Sequence, residues 1–116
     1  MKEILIIKTD GTVERETLTG NGSEQFATIQ KVVEGWVERA PLEDYTLLMW
    51  VNEEGKLKGL PHNPLAQRLW DKEWGAGTDT IVGNVVITGD DDEEGETGGL
   101  PEGVADRLMK TLGVLT

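Results

Sequence analysis

Hydrophobic and polar positions alternate with two different periods along this chain. Ile4-Leu5-Ile6-Ile7 is a short apolar run bounded by Glu3 and Lys8, which predicts a strand over residues 3–8. Thr9-Asp10-Gly11-Thr12 follows, and Asp-Gly between strand-like residues predicts a hairpin. Val13 to Leu18 alternates charge with apolar or neutral residues, as a half-exposed second strand does. After Gly20-Asn21-Gly22, Ser23 is the expected N-cap of a helix. Phe26, Ile29 and Val33 recur at helical spacing, and Gly35 is expected to end the helix. Trp36 to Ala40 reads as a strand stopped by Pro41, and Tyr45 to Val51 as a central strand. Asn52-Glu53-Glu54-Gly55 reads as a turn with Gly55 at positive φ, followed by a brief strand at Lys56-Leu57. Asn63-Pro64 is a cap followed by an N1 proline, so a helix runs from Pro64 to Trp74 and stops at Gly75. Thr80 to Thr88 is a β-branched run, with Gly83 as a bulge. Pro101 opens a last helix carrying Val104, Leu108 and Leu112 on one stripe.

Hairpins interleaved with single helices predict an α+β fold. The expected architecture is a mostly antiparallel sheet of about five to six strands packed by two to three helices. The 116 residues fit one domain, 1–116. With no cysteine, disulfides and thiolate sites are excluded, and the chain suits a reducing cytoplasm. The apolar run at residues 4–7 is too short for a signal-peptide core or a membrane span, so no membrane association is expected.

Charge sharpens the functional reading. The formal net charge is −11, from 22 acidic against 11 basic residues. Such a field repels phosphate backbones, so no direct nucleic-acid partner is expected, and it favours basic protein surfaces. The acidity is concentrated in Asp90, Asp91, Asp92, Glu93, Glu94 and Glu96, which form an acidic patch. Counted from Asp90, acids at positions one, three and five and Gly95 at six approach a calcium loop. Pro101 stands at position twelve, where the bidentate glutamate belongs, and no metal site is assigned.

Catalytic and cofactor chemistry has little to work with. His62 is the one histidine and Ser23 the one serine, so neither a zinc site nor a Ser-His-Asp set is expected. Gly20-Asn21-Gly22-Ser23 lacks the lysine of a phosphate-binding loop, and Gly75-Ala76-Gly77 lacks the rest of a dinucleotide fingerprint. No cofactor is expected. Of four tryptophans, Trp50 and Trp70 fit the core, while Trp36 and Trp74 border glycines and are candidates for interface anchoring or ring stacking.

Three stretches carry a family likeness: Ile29 to Glu38, Met49 to Ala66, and Ile81 to Gly89. They resemble an uncharacterised small domain family of bacteriophages, plasmids and actinobacteria. The most specific part is Asn52-Glu53-Glu54-Gly55-Lys56-Leu57-Lys58-Gly59-Leu60-Pro61-His62-Asn63-Pro64-Leu65-Ala66. The chain departs from the family at Glu34, where a second glycine is frequent. The resemblance implies no activity. It implies a mobile-element setting, in which small acidic proteins often inhibit host systems.

The candidate ligand- or partner-binding residues are Asn52, Glu53, Glu54, Gly55, His62 and Asn63, with Gln30 and Trp36 from the preceding helix-to-strand segment. The expected function is a non-catalytic binding protein that inhibits or sequesters a host component of the defence type, either a protein or a small nucleotide-like ligand. An acidic DNA mimic and a small enzyme using Glu53 or Glu54 with His62 are the alternatives. A homodimer through an exposed edge strand or tryptophan is compatible with the sequence.

Overall fold

The computed structural model describes residues 2–92 and 95–114. Two strands, β1 (Lys2–Ile7) and β2 (Val13–Leu18), form the first hairpin. Its turn uses Gly11 at φ +89°, as the Asp-Gly pair predicts. Helix α1 (Gly22–Val33) follows, then the hairpin β3 (Val37–Leu42) and β4 (Leu47–Asn52). Helix α2 (Pro64–Trp74), strand β5 (Val85–Gly89) and helix α3 (Val104–Thr111) complete the order. The sheet runs β2-β1-β5-β4-β3, and every neighbouring pair is antiparallel. The α+β expectation therefore holds, with five strands and three helices among the described residues.

Alternation along the strands builds two apolar layers, because successive side chains point to opposite faces. One layer joins Leu5, Ile7, Leu47, Met49, Val85 and Ile87 to Ala66 and Leu69 of α2 and Leu108 of α3. The other joins Ile4, Ile6, Leu48, Trp50 and Val86 to Ile29 and Val33 of α1. The sheet is thus covered on both faces, which explains why β1 and β5 read as unbroken apolar runs.

Several boundaries differ from the sequence reading. Asn21, not Ser23, caps α1, and Glu24 returns the hydrogen bond to close a capping box. Asn21 can do this because its extended backbone aims the side chain at the first turn, and Ser23 already lies inside the helix. Gln25 replaces Phe26 on the buried face: its amide donates to the Gly20 carbonyl at 2.9 Å and accepts from Lys2 Nζ at 3.1 Å. Phe26 is 37% exposed and meets Trp50 edge-on. The left-handed residue that ends α1 is Glu34, at φ +67°, rather than Gly35. A glycine would adopt this conformation without steric cost.

Pro41 does not stop β3, which continues to Leu42. β3 is an edge strand, where a proline's missing N–H breaks no ladder. The tight turn after it is left-handed at Glu43, Asp44 and Tyr45, so β4 begins at Leu47 rather than Tyr45. The central strand is β5, and β4 lies beside it. Lys56-Leu57 forms turn, not strand. Residues 80–84 are outside β5: Val82 makes an isolated bridge to His62, and Gly83 at φ +78° breaks the run instead of bulging it. Helix α3 starts after Gly103 and not at Pro101.

Candidate functional site

A cleft of about 340 Å³ opens where the end of β4 and the start of β3 meet the turn after β4 and the segment 79–82. The β3–β4 register sets Glu38 opposite Val51, so both lie on one face of the sheet. Val51, Ile81 and Val82 give an apolar lining. Glu38, Glu53 and Asp79 add carboxylates, and Lys56 adds the one ammonium in the lining. Lys56 Nζ donates to Asp79 Oδ1, which also accepts the Thr80 N–H at 2.7 Å. Three carboxylates against one ammonium leave the cleft formally negative, with Glu38 and Glu53 exposed and outside any ion pair among the described residues. Apolar lining beside a few convergent polar groups is the usual build of a recognition pocket.

The hydrogen bond from Lys56, with the Thr80 N–H, outweighs partial desolvation and holds the Asp79 carboxyl below the usual aspartate range. A depressed carboxyl pKa contributes stability that is present above the unfolded-state pKa and is lost as pH falls through the lowered value. Replacing Lys56 with methionine is therefore expected to raise the Asp79 pKa toward its ordinary value. Side-chain carboxyl NMR titration reads this directly, and an unmoved Asp79 would refute the pairing.

The sequence-predicted residues separate into distinct roles. Asn52 and Glu53 line the cleft. Asn52 is buried and bonded through both polar atoms: its amide donates to the Val33 carbonyl at 3.0 Å, and its oxygen accepts the Glu54 N–H at 2.8 Å. It ties the turn to the end of α1. Gly55 is demanded by contact rather than by positive φ, since an added Cβ would stand 2.9 Å from Val82 Cγ2. Asn63 is wholly buried, and its amide donates to the Ile7 and Gly83 carbonyls, each at 2.9 Å. Its oxygen accepts the Ala66 N–H at 3.1 Å, as the predicted cap requires. Both asparagines are thus structural, and they account for much of the motif from Asn52 to Ala66. Glu54 is exposed on the turn and does not line the cleft. His62 is exposed, with Nε2 3.2 Å from Gln67 Oε1. No hydrogen bond or ion pair joins His62 to Glu53 or Glu54 among the described residues. Gln30 and Trp36 line a separate hollow that shares no residue with the cleft.

The acidic loop is folded back onto the sheet. Gly89 and Gly98 bridge at its base, and the Asp92 N–H donates to the Glu96 carbonyl at 2.8 Å. Both Asp91 oxygens accept from Arg39 Nη1 at 2.9 Å, and the Arg39 guanidinium lies 5.3 Å from the Trp50 ring centroid. Lys2 Nζ lies 3.7 Å from Asp92 and 3.5 Å from Glu96. Asp90 is exposed, and Glu93 and Glu94 lie outside the described residues. Among the described residues, no group of three or more acidic or histidine side chains is placed to hold a metal ion. No helix among them is long and apolar enough to cross a membrane.

Glu38, Lys56 and Asp79 were not singled out from sequence. Glu38 is legible only once β3 and β4 are paired. Lys56 and Asp79 are 23 residues apart with no local signal linking them.

Fold and cleft together define a small α+β domain with an antiparallel sheet covered on both faces and an acidic recess at one end. The chain belongs to the family described as "Domain of unknown function (DUF3846)", whose model matches residues 1–113. No curated protein and no solved structure matches it.

Proposed function

We propose that this protein is a non-catalytic binding protein that sequesters or inhibits a partner protein by receiving a basic segment in the acidic cleft. The observation that carries the reading is the union of an apolar lining with the carboxylates of Glu38 and Glu53, which make no ion pair among the described residues. A lysine or arginine buries its aliphatic stem on apolar surface while its charged head seeks carboxylates. The net charge of −11 would steer basic partners toward the protein. The resemblance to a mobile-element family supports a host component, of the defence type, as that partner. It also supports action in the host cytoplasm. The internal pairing of Asp91, Asp92 and Glu96 with Arg39 and Lys2 weighs against DNA mimicry, because those carboxylates already have cationic partners.

The test is affinity capture from a bacterial lysate with the wild-type chain and with the Glu38→Gln/Glu53→Gln double variant. Both side chains are exposed, so the fold should tolerate the changes. The expected result is a basic protein held by wild type, released by about 0.5 M salt, and held at least ~10-fold more weakly by the variant. Equal capture by both chains, or capture of nothing, would overturn the reading.

A further inference from the structure

The hollow around Trp36 has a chemistry opposite to that of the cleft. It measures about 540 Å³ and is lined by Gln30, Lys31, Glu34, Gly35, Trp36 and Lys58, with Ala27 behind them. Trp36 is 65% exposed. The other three tryptophans each spend their indole N–H within the protein: Trp50 on Thr88 at 2.9 Å, Trp70 on Thr78 at 2.8 Å, and Trp74 on the Pro41 carbonyl at 3.2 Å. The Trp36 N–H has no acceptor among the described residues. The Gln30 side-chain amide is also without a hydrogen bond among them.

Two lysines line the same hollow as this ring, Lys31 at its border with a neighbouring hollow that Glu14 and Glu16 also line. The Lys31 and Lys58 ammonium groups make no ion pair among the described residues, although acids outnumber bases two to one in the chain. Gly35 lets Lys58 fold inward: an added Cβ would meet Lys58 Nζ at 3.1 Å and Asn52 Nδ2 at 2.9 Å. A helix C-terminus ordinarily repels anions through its free carbonyls. Here the Gln30 carbonyl accepts the Glu34 and Gly35 N–H groups at 2.8 and 3.1 Å, and the Val33 carbonyl accepts from Asn52 Nδ2. Glu34 is the one carboxylate in the lining, so two ammoniums face one acid. Charges beyond a Debye length of about 10 Å are largely screened, which lets this local balance differ from that of the whole chain.

An exposed indole face, an unspent amide and two unpaired ammoniums match a flat heteroaromatic ring with an anionic tail. We propose that this hollow binds a mononucleotide, with the base stacked on Trp36, its polar edge met by Gln30, and the phosphate held by Lys31 and Lys58. Glu34 is positioned to accept from an exocyclic amine or a ribose hydroxyl. This site is independent of the acidic cleft and goes beyond the reading given for it.

The test is titration of the full chain with AMP, GMP, CMP and UMP, the corresponding nucleosides, inorganic phosphate and a single-stranded oligonucleotide. Tryptophan fluorescence and amide NMR shifts are the readouts. At least one nucleotide should quench fluorescence saturably and shift Gln30, Trp36 and Lys58, with nucleosides and phosphate each binding more weakly. Trp36→Ala and the pair Lys31→Gln/Lys58→Gln should each weaken binding about 10-fold or more, with circular dichroism reporting intact folds. Glu38→Gln/Glu53→Gln should leave it unchanged, which separates this site from the cleft. The proposal is overturned by the absence of saturable binding, by phosphate binding as tightly as the nucleotide, by tighter binding of the oligonucleotide, or by variants that bind like wild type.

Discussion

Asn63→Ala is expected to lose about 4 kcal/mol of folding stability. The side chain is fully buried and makes three hydrogen bonds that join three separate parts of the molecule. Removing it leaves the carbonyls of Ile7 and Gly83 without that donor, and each unsatisfied buried group costs roughly 1–3 kcal/mol. It also uncaps α2, worth about 1 kcal/mol. Small domains are stable by roughly 5–15 kcal/mol, so the variant should sit near the edge of folding. Urea unfolding should show a midpoint shifted far down with an unchanged slope. Asn21 supplies the contrast, since it caps α1 from an exposed position, and its alanine variant should lose only about 1 kcal/mol. Equal losses at the two sites would show that the bonds of Asn63 to β1 and to the segment before β5 carry little.

Gly89→Ala should cost about 3 kcal/mol for a different reason. A Cβ on Gly89 would stand 2.1 Å from the Gly99 carbonyl oxygen and 3.0 Å from its carbon. Gly98 is equally confined, with the Asp90 carbonyl oxygen 2.0 Å from its added Cβ. Backbone lies on both sides of the contact, so no side chain can swing away, and the bridge between Gly89 and Gly98 has to open. Loss of that bridge frees the base of the acidic loop and loosens the Arg39–Asp91 pair. Denaturation and amide exchange at Gly89 check both consequences. Gly22→Ala is the control, because its nearest neighbour is the flexible end of Glu96 at 3.3 Å, and it should change stability by no more than about 0.5 kcal/mol.

Much of the fold was legible where local chemistry fixes it. Asp10-Gly11 marks the first hairpin, and Asn63-Pro64 with Gly75 marks both ends of α2. Local signals fail where tertiary position overrides local preference. Pro41 looks like a strand stop, yet on an edge strand it breaks no pairing. Ile81 and Val82 look like the start of β5, yet Gly83 turns the chain and sends them to the cleft lining. Phe26 fits the helical stripe, yet Gln25 takes the buried place because its amide finds the Gly20 carbonyl and Lys2.

The site was legible only in part, for the same reason. Asn52 and Asn63 look like ligand candidates in sequence, yet their polar atoms hold loops to the core. Glu53 directly follows an apolar strand and lines the cleft. Glu38 and Asp79 are far apart in sequence and converge only through the β3–β4 register and the turn at Gly83. The acidic run of residues 90–96 dominates the sequence, and its counter-ions Lys2 and Arg39 cannot be read from it.

The most direct measurement is an NMR titration of the labelled protein with a short arginine-rich peptide, because a chain this acidic offers such a peptide more than one landing place. The expected result is a saturating set of shifts at Glu38, Val51 to Leu57 and Asp79 to Val82, suppressed in the Glu38→Gln/Glu53→Gln variant. Shifts centred instead on Asp90 to Glu96, with the cleft residues unmoved, would contradict binding through the cleft.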